Sequence, residues 1–364
     1  MSKNNRKIRN HPERDTMPIR VLVVDDSAFM RQIIHRMLEE DPEIEVVGTA
    51  RDGQDALAKV HSFDPDVVTL DVAMPNMDGL ECLRQIMDSA PRPVIMVSYL
   101  TVAGAEHTIA ALELGAVDFV TKTNSNDPEA IAAIQQELTQ KVKVAATIDW
   151  QKLQPAPLLP AAPAPEPVVF RKIKELELAV IGASTGGPRA LQDLLTRIPP
   201  NFPLGIIVAQ HMPKDFTKVF AKRLNDLAKV EIVEARSGDL VTPGRVLVAP
   251  SGYQTTVVRD GERLTVEVAS HPPLIYKPSI DHLLRSVAAA CQGRSLGIIL
   301  TGMGSDGAQG LSELRRLGAR TIAEAESSCV VYGMPRSAIE LGGVEYVERL
   351  PDIYSRVVSI LDDY

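Results

Sequence analysis

The chain has 364 residues, 45% hydrophobic and 24% charged, the balance of a soluble globular protein with room for two or three domains. Its formal net charge of −8 argues against a general nucleic-acid binder or a protein that lies on anionic membrane. No run is long and apolar enough to span a bilayer and the N-terminus lacks an apolar signal core, so a cytoplasmic protein without membrane insertion is expected.

Residues 1–17 are polar and carry Lys3, Arg6, Lys7 and Arg9, which reads as a mobile tail. From there the pattern alternates. Apolar, β-branched runs at 21–24, 44–49, 67–70, 93–97 and 117–120 predict strands, and helical spacing at 28–40, 54–61, 79–88, 102–114 and 128–144 predicts helices. Short apolar strands, each followed by an amphipathic helix, imply a parallel sheet covered on both faces over 18–144. Residues 145–170 are rich in Pro and Ala with no period of either kind, the composition of an extended linker, and the single tryptophan, Trp150, stands at its start.

A second α/β domain is expected over 171–364. Strands are predicted at 178–181, 205–209, 231–234, 245–249, 255–258, 264–268, 297–300, 321–323 and 344–347, and helices at 188–197, 214–228, 279–291, 306–317, 336–341 and 352–361. The helix-free middle, 231–268, reads as an antiparallel excursion from a mostly parallel sheet. Cys82, Cys291 and Cys329 are an odd, widely spaced set without metal-ligand spacing, so reduced, buried, inert thiols are expected.

In an open parallel sheet, ligands bind beyond the carboxyl ends of the strands. In the first region those ends carry Asp25 and Asp26, then Asp71, then Ser98, then Lys122. Three converging carboxylates repel unless a cation holds them, and their hard oxygens suit Mg²⁺. A carboxylate beside Mg²⁺, with a lysine and a hydroxyl near, is equipped to accept a phosphoryl group as an acyl phosphate. Each residue alone has a bland reading as a cap or turn residue. Together, in Val-Val-Asp-Asp-Ser, Leu-Asp-Val-Ala-Met-Pro-Asn-Met-Asp-Gly, Val-Ser and Phe-Val-Thr-Lys, they resemble the receiver domain of two-component response regulators. The resemblance implies a flavodoxin-like doubly wound fold, Asp71 as phosphoacceptor, Asp25, Asp26 and Asp71 as Mg²⁺ ligands, Ser98 as switch hydroxyl and Lys122 as phosphate partner. Ala73, where receivers joined to this type of output usually carry Glu, and Tyr99 after the switch serine depart from the family habit.

In the second region, Leu-Ala-Val-Ile-Gly-Ala-Ser-Thr-Gly-Gly-Pro-Arg reads as strand, small-residue turn and helix. The turn lifts one reactive group, the Ser184 hydroxyl, to a helix N-terminus, where free N–H donors and a partial positive charge favour an oxyanion. Such turns also cradle phosphates without chemistry, and this stretch alone leaves both readings open. Arg189, just beyond, reads as a solvated helix charge. A serine nucleophile needs a base. His211 follows the strand at 205–209 and so shares the edge with Ser184, whereas His271 lies in a Pro-rich loop and His282 on a predicted helix. Asp306, in Thr-Gly-Met-Gly-Ser-Asp-Gly, begins another helix; its bland role is an N-cap, its functional role to orient an imidazole. Backbone N–H groups of Thr185 and Met303 are the candidate oxyanion donors.

Gly-Ala-Ser-Thr-Gly-Gly, Gln-His-Met, Tyr-Lys-Pro-Ser at 276–279 and Thr-Gly-Met-Gly-Ser-Asp-Gly are together similar to the catalytic domain of the CheB family of protein-glutamate methylesterases. The resemblance implies a Ser184–His211–Asp306 triad that needs no cofactor for ester hydrolysis, and substrates that are glutamate methyl esters, and certain glutamines, on the cytoplasmic helices of chemoreceptors. A chemotaxis histidine kinase is the implied phosphodonor, with Mg²⁺ confined to the phosphorylation step. The alternative is a receiver-gated module that binds a phosphate, a nucleotide or a protein without hydrolysis.

Overall fold

The structure is a computed structural model that describes residues 17–99, 101–122, 127–148 and 176–362. Trp150 and the Pro/Ala-rich stretch lie outside them. The first part comprises β1 (Ile19–Val24), α1 (Ala28–Glu39), β2 (Ile44–Ala50), α2 (Gly53–Phe63), β3 (Val67–Asp71), α3 (Gly79–Ser89), β4 (Val94–Tyr99), α4 (Val102–Glu113), β5 (Asp118–Lys122) and α5 (Pro128–Ala146). Its strands form one five-stranded sheet in the order β2-β1-β3-β4-β5, and every pairing in it is parallel. The expected strand–helix alternation and doubly wound sheet are therefore present. Helix starts obey local chemistry: Ser27, Asp52, Asp78, Thr101 and Asp127 each accept a hydrogen bond from the first turn of the helix that follows.

The second part comprises β6 (Leu178–Ala183), α6 (Gly187–Leu195), β7 (Gly205–Gln210), α7 (Phe216–Leu227), β8 (Glu231–Glu234), β9 (Arg245–Val248), β10 (Gln254–Asp260), β11 (Arg263–Ala269), α8 (Ile280–Cys291), β12 (Ser295–Ile299), α9 (Ala308–Arg316), β13 (Arg320–Glu324), α10 (Met334–Glu340), β14 (Tyr346–Glu348) and α11 (Leu350–Asp362). A seven-stranded parallel sheet runs β14-β13-β12-β6-β7-β9-β8. The antiparallel excursion is smaller than the sequence pattern suggests. Among the strands of the described residues only β10 and β11 form an antiparallel pair, as a separate two-stranded sheet, while β8 and β9 return to the edge of the main sheet. β6 and β7 are central and buried along their whole length, as their unbroken apolar runs require. Cys82, Cys291 and Cys329 are free and buried, and burial pushes the thiols of Cys82 and Cys291 up to about 12, which makes them inert. Among the described residues no helix is long and apolar enough to cross a membrane.

The two sheets meet through the α4–β5 corner. Glu113, at the end of α4, takes a bidentate ion pair from Arg223 of α7, at 2.8 and 3.0 Å. Phe119 of β5 stacks on Phe216 of α7, with ring centroids 4.8 Å apart and planes 17° apart. Asp118 accepts the hydroxyl of Thr185 at 2.5 Å. Arg189 is half-buried under this corner, against residues 115–117, and burial lowers its pKa. It is therefore not the solvated charge that its place on a helix suggests.

Candidate active site and phosphorylation site

The catalytic candidates collect where β6, β7 and β12 end. Ala183 is in register with Gln210, and the N–H of His211 donates to the Ala183 carbonyl at 3.1 Å, so the first residue past β7 lies beside Ser184, the first past β6. Gly302 closes the third side. A Cβ there would stand 2.8 Å from the Ser184 Cβ and 2.3 Å from the Met334 sulfur, so only glycine admits the elbow so close. Gly186, at φ +78°, turns the chain sharply from Ser184 into α6. That helix and α9 both start after glycines of positive φ with no side-chain cap, and their first N–H groups, of Gly187 and Ala308, donate back to the Ser184 and Ser305 carbonyls at 2.8 and 3.1 Å. The backbone N–H groups of Thr185 and Met303 donate to no protein group among the described residues.

Asp306 does not cap its own helix. Its Oδ1 accepts the Ser279 hydroxyl and the N–H of Asp281, each at 3.0 Å, and its Oδ2 accepts the N–H of Ile280 at 2.7 Å. The carboxylate thus sits at the N-terminus of α8, where the helix field favours negative charge. Oδ2 also meets Nε2 of His211 at 2.9 Å. Burial is the largest influence on the Asp306 carboxyl and opposes ionisation, but the His211 contact and the backbone donors outweigh it and hold the pKa below the usual value. An ionised Asp306 accepts from Nε2–H, which leaves the Nδ1 lone pair as the basic end of the ring. Among the described residues Ser184 Oγ makes no hydrogen bond, so the imidazole–carboxylate half of the cluster is assembled and the serine stands next to it without a partner.

Three residues that sequence reasoning left without a role hold this arrangement. Tyr276 stacks face to face on His211, with centroids 4.3 Å apart and planes 5° apart, which fixes the plane of the imidazole. Gln254, on the β10–β11 hairpin, donates to the Tyr276 carbonyl at 2.8 Å and accepts the N–H of Ser279 at 2.9 Å, so the hairpin ties down the Tyr276 loop. Gln210 donates to the carbonyls of Ser184 and His211, both at 2.9 Å. The motifs Tyr-Lys-Pro-Ser and Gln-His-Met contain Tyr276 and Gln210 without revealing what either holds; nothing local marked Gln254. His282 contributes only its backbone N–H, to Ser279, and His271 is exposed.

At the carboxyl edge of the other sheet, ligand atoms of Asp25, Asp26 and Asp71 lie within 4.8 Å of one another. Lys122 reaches Asp25 and Asp71, 2.7 Å to each. Burial raises the pKa of Asp71 although Lys122 opposes it; burial is also the largest single influence on Lys122 and lowers it, but Asp71 and Asp25 together outweigh it and hold the ammonium above its usual value. A buried carboxylate that resists ionisation next to two others calls for a second cation, and three oxygen donors converging on one point suit a hard divalent ion. Ser98 is buried one position past the residue that pairs with Asp71, so its hydroxyl belongs to the same edge. The Lys122 ammonium also lies over the Tyr99 ring, 5.0 Å from its centroid. Ala73 contributes a backbone hydrogen bond to Asp71, which needs no particular side chain.

Fold and sites together define a response-regulator receiver joined to an α/β domain with a serine, histidine and aspartate on one sheet edge. Residues 21–135 match the response regulator receiver domain model, and residues 179–357 match the CheB methylesterase model. A protein-glutamate methylesterase/protein-glutamine glutaminase of Oleidesulfovibrio alaskensis is 44% identical, covering 94% of this chain and 99% of its own length. One of Symbiobacterium thermophilum is 46% identical, over 95% and 99%. The crystal structure of the Thermotoga maritima CheB methylesterase catalytic domain covers 51% of this chain and 98% of its own length, at 35% identity and a TM-score of 0.50. The chain belongs to the CheB family of protein-glutamate methylesterases/protein-glutamine glutaminases.

Proposed function

We propose that the protein is a phosphorylation-activated serine hydrolase that demethylates glutamate methyl esters, and deamidates glutamines, on the cytoplasmic helices of chemoreceptors. The domain division 18–144 for the receiver and 171–364 for the esterase belongs to this reading. The observation that carries it is the α8-seated carboxyl of Asp306 holding Nε2 of His211 beside the elbow serine. His211 takes the Ser184 hydroxyl proton at Nδ1 as Ser184 attacks the γ-carbonyl. The oxyanion forms against the free N–H groups of Thr185 and Met303. His211 returns its proton to the leaving methanol or ammonia, and water, deprotonated by the same ring, resolves the acyl-enzyme to glutamate. Ester hydrolysis draws on no further group.

Asp25, Asp26 and Asp71 would hold Mg²⁺, which would supply charge neutralisation for phosphoryl transfer; Asp71 is the acceptor, a chemotaxis histidine kinase the donor, and Lys122 and Ser98 the partners of the new phosphate. Control runs through the α4–β5 corner. Asp118 begins the strand that ends in Lys122, and it grips Thr185, next to the nucleophile. In the unphosphorylated arrangement the receiver rests on the elbow, and phosphorylation favours an open one. The test is methanol release from methylated receptor fragments by wild type and Ser184→Ala. Loss of turnover with receptor binding intact supports the hydrolase; unchanged behaviour of the variant supports a binding module instead.

A further inference from the structure

Glu324, the last residue of β13, is wholly buried, yet no cationic side chain pairs with it among the described residues. Its neighbours are acidic or neutral. Asp193 on α6 adds to the unfavourable field, Glu348 on β14 is in register with it but paired with Arg356, and the Cys329 thiol donates to its carbonyl. Ionising a carboxyl group under such conditions costs stability, so the fold gains little by keeping one there at neutral pH and above.

We propose that Glu324 is a positioning residue for the reaction, setting through Thr301 the two peptide units on either side of the Ser184–Thr185 peptide. The proposal rests on Ser184 being the nucleophile. Oε2 of Glu324 accepts the N–H of Thr301 at 2.9 Å, and Oε1 accepts the Ser328 hydroxyl at 2.9 Å. Thr301 then works in two directions. Its carbonyl accepts the N–H of Ser184 at 3.1 Å, and its hydroxyl donates to the Thr185 carbonyl at 3.0 Å while taking the N–H of Val331 at 2.9 Å. The peptide between Ser184 and Thr185, which carries one candidate oxyanion donor, is thereby held at both ends. Met303, which carries the other, stands two residues beyond Thr301. One carboxylate therefore anchors the Thr185 half of the oxyanion site, and the base of the loop that carries Met303, without touching substrate.

The test uses the full chain activated with Mg²⁺ and acetyl phosphate. It reads kcat and KM for methanol release and the rate at which a fluorophosphonate labels Ser184, with thermal unfolding to establish folding. Glu324→Gln keeps an acceptor for Thr301 and a donor for Ser328, and kcat is expected within about threefold of wild type. Glu324→Leu removes the acceptor, and kcat and the labelling rate are expected to fall together by about 30-fold with KM within about twofold, since a displacement under 1 Å suffices for a loss of that size. Thr301→Val removes the hydroxyl alone and is expected to lower kcat in the same sense. A folded Glu324→Leu with wild-type kcat, or a Glu324→Gln that falls as far as Glu324→Leu, overturns the proposal. If Glu324→Leu does not fold, Thr301→Val decides, and an unchanged kcat there overturns it. Turnover retained by Ser184→Ala would instead sink the nucleophile assignment, whatever Glu324 does.

Discussion

Reversing one charge at the domain contact tests the gating reading. In Arg223→Glu the bidentate pair with Glu113, at 2.8 and 3.0 Å, becomes two facing carboxylates. The side chains are 47% and 23% exposed, so solvent screens them and the pair contributes at most about 1 kcal/mol. Reversal adds a repulsion of similar size, for a total of about 1–2 kcal/mol, or about 5–30-fold in the ratio of open to closed protein. The stack of Phe119 on Phe216 and the Thr185–Asp118 hydrogen bond are left in place, so the contact is weakened and not abolished. Methanol release by unphosphorylated protein is therefore expected to rise by about that factor, while the further gain from acetyl phosphate shrinks. Adding Glu113→Arg restores the pair with its signs exchanged and should return most of the repression. High salt should raise the basal rate of wild type more than that of the variant. A folded Arg223→Glu as repressed as wild type, or a double reversal as active as the single one, would refute the reasoning.

Asp306→Asn keeps shape but removes the charge that selects the Nε2–H tautomer; kcat is expected to drop about 10³–10⁴-fold with little change in KM, and steady-state kinetics on methylated fragments check it. Chelating Mg²⁺ with EDTA should abolish activation by acetyl phosphate yet leave the basal rate of methanol release unchanged, because among the described residues the Asp25–Asp26–Asp71 cluster is the one group placed to hold the ion, and it lies apart from Ser184. Burial pushes the Glu324 carboxyl from 4.5 to about 7, so the folded state prefers it protonated. Its contribution is therefore fully present below about pH 4.5 and is lost as pH rises through about 7; the gap of roughly 2.5 pH units is worth about 3 kcal/mol. Denaturant titrations at pH 5 and pH 8 should show Glu324→Gln gaining stability over wild type as pH rises, and an equal difference at both would contradict the assignment.

Much of this architecture was written in local patterns. Apolar runs at strand spacing, followed by amphipathic helices, announced both sheets, and strand-end chemistry announced Asp71, Lys122, Ser184 and His211 as edge residues. The helix-free middle misled because β8 and β9 look like hairpin strands when read alone; only the register of β9 against β7 reveals that they extend the main sheet. Asp306 was ambiguous for a related reason. An aspartate before a helix reads as a cap, and its actual partners, Ser279, Ile280, Asp281 and His211, are all distant in sequence. Gln254 and Glu324 were invisible, and Gln210 showed only as a neighbour of His211, since a polar residue at the end of a strand looks solvated until the neighbouring element covers it. The receiver contact lay hidden too: nothing in Glu113, Asp118 or Phe119 marks them as facing α6 and α7.

The decisive measurement is the mass of the peptide bearing residue 184 after the phosphorylated full-length protein has reacted with a fluorophosphonate. Modification of Ser184 alone, with parallel loss of methanol release and no labelling in His211→Ala, is the predicted result. An unmodified Ser184 in protein that the reagent has fully inactivated, or undiminished turnover after Ser184 is fully labelled, would contradict the account.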